Sequence, residues 1–153
     1  AGDRRRVLAR ALGTQTVQVD SCAMESPVGY LWQTPTGRML AASCTPEELD
    51  GIIANDGLPG ESWEEAKSRR DLALELAEIR QAGVAERHER DVASLAVPIW
   101  SATGTLLGAL GMHMPEYRWT LEFREQTLRA LRNSAVRLAG VWSDGISAVM
   151  GNR

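Results

Sequence analysis

A single phenylalanine and two tyrosines stand among 153 residues, so the aromatic content falls almost wholly on five tryptophans. Cysteine is nearly as scarce: Cys22 and Cys44 are too few for a disulfide scaffold and follow no metal-ligand spacing, which fits a reducing cytoplasm. Positive charge is not in surplus, since 17 Lys and Arg meet 20 Asp and Glu for a net charge of −3. Phosphate-backbone binding draws its affinity from neutralised phosphates, so this balance argues against direct nucleic-acid binding. Arg4-Arg5-Arg6 is the local exception and reads as a solvated face. No apolar run approaches the ~18–20 residues of a membrane helix, and the opening residues carry charge rather than a signal core. Repeats, low-complexity segments, a nucleophile elbow and a glycine-rich phosphate loop are all missing. Expectations of a membrane span, a secretory signal or a common hydrolase design fall away together.

What is present is an ordinary globular composition, 44% hydrophobic and 24% charged. A chain of this length folds as one domain and buries roughly 70% of its unfolded surface. Val7, Leu8, Ala11 and Leu12 stripe a short helix over residues 4–12 that Gly13 ends. Gln15, Val17 and Val19 alternate with polar partners as a half-buried strand does. A second strand is expected over residues 28–33. From Thr36 the pattern turns helical, with Thr36 expected to cap. Thr45-Pro46-Glu47-Glu48 is a capping box that starts the next helix. Residues 55–60 are loop by composition. Ser62 with Glu65, or Ser68 with Asp71, then caps a helix carrying Leu72, Leu76 and Ile79, which stops at Gly83.

Beyond Gly83 the period changes from helical to alternating. Residues 84–90 read as a charged edge strand, residues 92–100 as an apolar strand, and Thr103-Gly104 as a turn into residues 106–114. A final helix starts near Thr120 and turns Leu121, Leu128, Leu131, Ala135 and Leu138 inward. It ends at Gly140 or runs on past Trp142. Strands clustered in hairpins with helices gathered elsewhere give an α+β class with one antiparallel sheet.

Four segments, in this order, resemble the IclR-type bacterial transcription regulators. Thr36-Gly37-Arg38-Met39-Leu40-Ala41-Ala42 is similar to that family's T-x-x-G-x-x-x-L-A helix start, and residues 76–85, LAEIRQAGVA, to its L-x-x-I-R-x-x-G-Y/V-A. Ser94-Leu95-Ala96-Val97-Pro98-Ile99 resembles its Ala-x-Pro strand. Ala109-Leu110-Gly111-Met112-His113-Met114-Pro115, with Arg118, takes the place of A-L-S-V-S-x-P-x-x-R, with Gly111 and His113 where the family alternates serines. The family's segment ahead of Thr36 is longer than Asp20 to Gln33 here, and its acidic residue before the Ala-x-Pro strand has two neighbours, Glu86 and Glu89. The resemblance implies a GAF-like C-terminal effector-binding domain, an antiparallel sheet of about six strands with helices packed on it. Residues 1–13 would be a remnant of the linker helix and residues 14–153 the effector-binding domain. It further implies a homodimer or homotetramer, and DNA contact only through a separate N-terminal winged helix-turn-helix absent from this chain. No cofactor, metal or membrane partner is implied.

By this resemblance the effector pocket is lined at Pro35, Thr36, Ser94, Gly111 and His113, to which Gly37, Glu89 and Trp32 are added as candidates. Period two puts Gly111 and His113 on one strand face, and a helix N-terminus near Thr36 and Gly37 favours an anion. A carboxylate-bearing metabolite would suit those amides, the Thr36 and Ser94 hydroxyls, and a protonated His113. Trp32, just ahead of this helix, is a candidate wall, and Trp100 and Trp142 are candidate subunit contacts. Structural roles stand beside these: a hydrogen-bonded strand histidine at 113, a backbone partner at Ser94, close packing at Gly111. His88 is expected to be solvated. Three alternatives remain: a ligand-free oligomerisation module, a GAF-like thiol redox enzyme using Cys22 and Cys44, and a zinc site drawing on both cysteines with His88 and His113.

Overall fold

A computed structural model describes residues 30–150, with side chains of the last helix described to residue 142. The expected helix over 4–12 and strand over 15–19 lie outside the described residues. Among the described residues four helices, α1 (Pro35–Ala42), α2 (Pro46–Asp56), α3 (Arg69–Ala82) and α4 (Leu121–Met150), accompany three strands, β1 (Ala85–Glu89), β2 (Val92–Trp100) and β3 (Leu106–Pro115). Local chemistry sets most of these boundaries. Thr45 and Glu48 close the expected capping box on α2, with the Glu48 amide bonded to Thr45 Oγ1 at 3.2 Å and the Thr45 amide to Glu48 Oε2 at 2.8 Å. Ser68, rather than Ser62, caps α3 by accepting from the Asp71 amide. Gly83 ends that helix at φ 63°, a conformation an L side chain resists.

The strands form an antiparallel meander in the order β1-β2-β3, as the alternating pattern anticipates. Ala96 pairs with Ala85 on one side and Gly111 on the other; Ser94 pairs with Arg87 and His113. Because side chains alternate along a strand, these residues share one face. Helix α1 lies on that face through Met39, which packs with Ala85 and Ala96. Above it, α1, α2 and α3 enclose a helical core that includes Trp32, Trp63, Leu72 and Leu76. The opposite face carries Val97 and Ile99 against Leu128, Leu131, Ala135 and Ala139 of α4.

Three expectations need correction, and one of the two candidate caps of α3 drops out. Tyr30–Gln33 is a 3-10 turn and not strand, because Trp32 is drawn into the helical core and its Nε1 donates to the Gly57 carbonyl at 3.1 Å. Thr34 and not Thr36 caps α1, since Pro35 fits the first helical position and the Thr34 hydroxyl accepts from the Gly37 amide. Ser62 belongs to its own short 3-10 turn. On α4, Leu121 and Leu138 are exposed, while Thr127 and Ala139, which the stripe left out, are buried. The first turn of α4 docks through charge instead: Arg124 Nε donates to Glu86 Oε2 at 2.7 Å.

Candidate functional site

The first turn of α1 meets the sheet at Gly111. A side chain there would come within 2.6 Å of the Thr36 methyl, 3.0 Å of the Leu95 carbonyl oxygen and 3.3 Å of the Ala96 methyl. Absence of a Cβ at 111 therefore lets Thr36 settle onto the strands. Thr36 Oγ1 also reaches Thr34 Oγ1 at 3.4 Å. Gly37 faces the other way. A methyl group on it would overlap the Leu31 carbonyl oxygen, and its amide is already spent on Thr34 Oγ1 at 3.1 Å. Pro35 is buried in the same turn.

Beside the row Ala85–Ala96–Gly111 that α1 covers lies the next row on the same face, Arg87–Ser94–His113. Strands about 4.8 Å apart place these three side chains within one small ligand's length. Ser94 is buried, and its hydroxyl donates to the Arg87 carbonyl at 3.1 Å. His113 is exposed. Glu89, two residues along β1 and so on the same face, forms an ion pair with the Arg87 guanidinium. Thr36, Glu89, Ser94, Gly111 and His113 are thus gathered on one sheet face, whereas Trp32 and Gly37 pack into the turn and core beneath α1.

Two arginines escaped the sequence reading. Arg38 is buried in α1, with Nε donating to the Trp32 carbonyl at 2.8 Å, Nη2 to the Ser62 carbonyl at 3.0 Å, and Cζ 4.0 Å above the Trp63 ring. Burial, followed by repulsion from Arg87, pulls its guanidinium down to about 10, which leaves it charged at neutral pH. Its position in an apolar helix was the signal, because a charge there must find carbonyl partners. Arg87 was legible by alternation alone, being two residues from Glu89 and cross-strand from Ser94.

On the α4 face, His88 is not simply solvated. Its Nδ1 lies 3.0 Å from both Glu116 oxygens, its Nε2 lies 3.0 Å from Glu86 Oε1, and its ring meets Trp119 edge-on at 5.1 Å. A cleft of about 240 Å³ opens at the far end of β2 against α4, between Gly83, Pro98, Trp100, Arg132 and Val136. Cys44 donates to the Leu40 carbonyl at 3.2 Å, and burial raises its thiol pKa, with Glu48 adding to the effect. Among the described residues no three His, Cys, Asp or Glu side chains converge as a metal set, and no helix is long and apolar enough to cross a membrane.

Comparison with known proteins decides the family. The description "Bacterial transcriptional regulator IclR C-terminal" matches residues 9–139. The chain belongs to the IclR C-terminal family. Solved structures agree on the fold. An IclR transcriptional regulator from Alicyclobacillus acidocaldarius superposes with a TM-score of 0.74 at 19% identity, covering 90% of this chain and 56% of that one. The inducer-binding domain of a PobR double mutant from Acinetobacter, in complex with 3-hydroxybenzoic acid, gives 0.62 at 26% identity over 71% of this chain and 66% of that one. The C-terminal domain of the E. coli regulator KdgR gives 0.62 at 23% identity, covering 72% and 69%. The chain spans 55% and 58% of the length of two other regulators it resembles. No curated protein matches it by sequence. An IclR C-terminal domain belongs to transcriptional regulators and not to an enzyme class.

Proposed function

We propose that this IclR C-terminal domain senses a small metabolite, an organic acid or aromatic compound, and transmits its presence to a DNA-binding domain. The observation that carries this reading is the meeting of Thr36 with Gly111 beside the Arg87–Ser94–His113 row, inside a chain matched by the family over residues 9–139. The inducer-binding domain of the Acinetobacter relative, as a double mutant, forms a complex with 3-hydroxybenzoic acid, which supports the ligand class. Pro35, Thr36, Ser94, Gly111, His113 and Glu89 would face the ligand, with Trp32 and Gly37 holding α1 in place from beneath. Residues 14–153 would form the sensing domain and residues 1–13 the end of a linker, in a cytoplasmic regulator that contacts DNA through another domain. Effector binding would favour one of two domain arrangements and so act at a distance.

The reading calls for no catalysis. A redox thiol needs a depressed pKa, whereas that of Cys44 is raised. Self-association as a homodimer or homotetramer fits the exposed apolar pair Trp100 and Val136 on the rim of the cleft against α4. Val136→Asp should lower the sedimentation mass if that surface is used.

Thermal unfolding against a panel of organic acids and aromatic metabolites tests the sensor. An effector at 100 times its Kd stabilises by about 2.7 kcal/mol, a rise in Tm of roughly 5–10 °C for a chain of this size. A chain that forms a stable oligomer yet responds to no compound is instead a bare assembly module.

A further inference from the structure

Arg87 has a side chain only 19% exposed and a guanidinium with five N–H donors, and among the described residues Glu89 alone forms an ion pair with it. No buried side-chain nitrogen or oxygen among the described residues lacks a hydrogen-bond partner. The remaining Arg87 donors therefore reach solvent, on the sheet face that Arg87 shares with Ser94 and His113. On this face Thr36 of α1 covers the neighbouring row at Gly111, and Arg38 of α1 faces Arg87 with its own donors committed to the Trp32 and Ser62 carbonyls. Arg38 cannot turn to serve a ligand; Arg87 can. Glu89, by contrast, is half exposed at 50% and sits at the end of its strand, so it can swing into water at little cost.

We infer that Arg87 is the carboxylate-recognising side chain of the effector site and that Glu89 is an internal placeholder, held in the guanidinium fork until an effector carboxylate displaces it. This rests on the sensor reading and gives it a specificity residue. One carboxylate replaces another, so the charge around Arg87 is unchanged in the fork and the preferred ligand is a small monoanion. Arg38, which faces Arg87, has Glu65 and Glu75 as well as Glu89 around it. A planar carboxylate takes two parallel bonds from the fork, and the body of the ligand then lies along Ser94 toward His113.

Benzoate is the probe, titrated into the 153-residue chain while the Arg87 Nε–H resonance is followed by NMR, with sodium chloride at matched ionic strength and benzamide as controls. Benzoate should shift that resonance to saturation, and neither control should. Glu89→Gln should tighten the benzoate Kd by about fivefold, the effect of removing a competing exposed ion pair. Arg87→Lys, which keeps charge but loses the fork, should weaken binding at least as much. An unchanged or weaker Kd in Glu89→Gln, or wild-type binding in Arg87→Lys, overturns the placeholder. So does a benzoate titration that leaves the Arg87 resonance still in both wild type and Glu89→Gln. If a metabolite from the thermal panel stabilises wild type and Arg87→Lys equally, the sensor stands and only this role for Arg87 falls. If Arg87 binds benzoate while no metabolite stabilises the chain, Arg87 recognises carboxylates but the sensor reading falls, and with it the effector role of Arg87.

Discussion

Gly111 and Thr36 are 75 residues apart in sequence, one on a strand and one on a helix, yet a single missing methyl joins them. Gly111→Ala drives a Cβ against the Thr36 methyl and the Leu95 carbonyl, and overpacking of this kind costs about 1–3 kcal/mol. Thr36→Ser removes that methyl, so the double variant should recover at least ~0.5 kcal/mol relative to the sum of the singles in urea unfolding. Additive losses would mean the two residues do not touch. Gly37→Ala should be worse than Gly111→Ala, because the obstacle there is backbone and cannot rotate away. At this scale the sequence is a partial guide. Thr36 and Gly111 stood out only through the family motif, and nothing in the order of residues says that they meet. Arg38 went unnoticed because its partners, the Trp32 and Ser62 carbonyls, are fixed by tertiary packing and not by any repeating pattern.

Elements were easier to read where the signal is local. The capping box at Thr45, the left-handed stop at Gly83 and the alternation through β2 and β3 each depend on residues a few positions apart, and each stands where expected. The 3-10 turn at Tyr30–Gln33 is too short to show a period, and Trp32 is placed by Gly57, 25 residues away. The docking of α4 was likewise hidden, since the His88 cluster unites β1, the turn after β3 and α4. Both His88 nitrogens face carboxylates, and ionised carboxylates only accept, so the cluster is complete when the ring is an imidazolium. Burial opposes that charge, but the hydrogen bonds His88 donates to Glu86 and Glu116 and their negative charge outweigh it, and the His88 pKa is raised above 6.5. A raised pKa gives stability that is fully present below the unfolded value and is lost as pH climbs through the folded one. Compared with His88→Gln, the wild-type Tm should therefore fall as pH rises above the unperturbed histidine value of about 6.5. Parallel curves for the two proteins would show that the cluster holds no proton-linked stability.

For the whole molecule, the decisive fact is that β2 belongs to two cores at once. Ala96 looks toward Met39 under α1, and its neighbour Val97 looks toward Ala135 of α4. Neither core can melt without stripping the strand that serves the other. Unfolding followed by tryptophan fluorescence, dominated on the helical side by Trp32 and Trp63, should coincide with far-ultraviolet circular dichroism in one transition. Leu72→Ala, at a fully buried site, should cost about 2–5 kcal/mol and shift both signals together. Two separated transitions would mean that α4 and its face of the sheet form an independent unit.

Arg38 ties α1 to the Trp32 and Ser62 carbonyls, and Arg80 of α3 adds a 2.7 Å bond to the Ala42 carbonyl at the other end of the same helix. Tilting α1 by itself would orphan three buried or half-buried carbonyls. Sliding α1, its flanking loop and α3 as one plate across the strands would orphan none, and is the cheaper displacement. Any force applied near Thr36 is therefore delivered as a shear of that plate and arrives at Gly83, where α3 hands the chain back to β1.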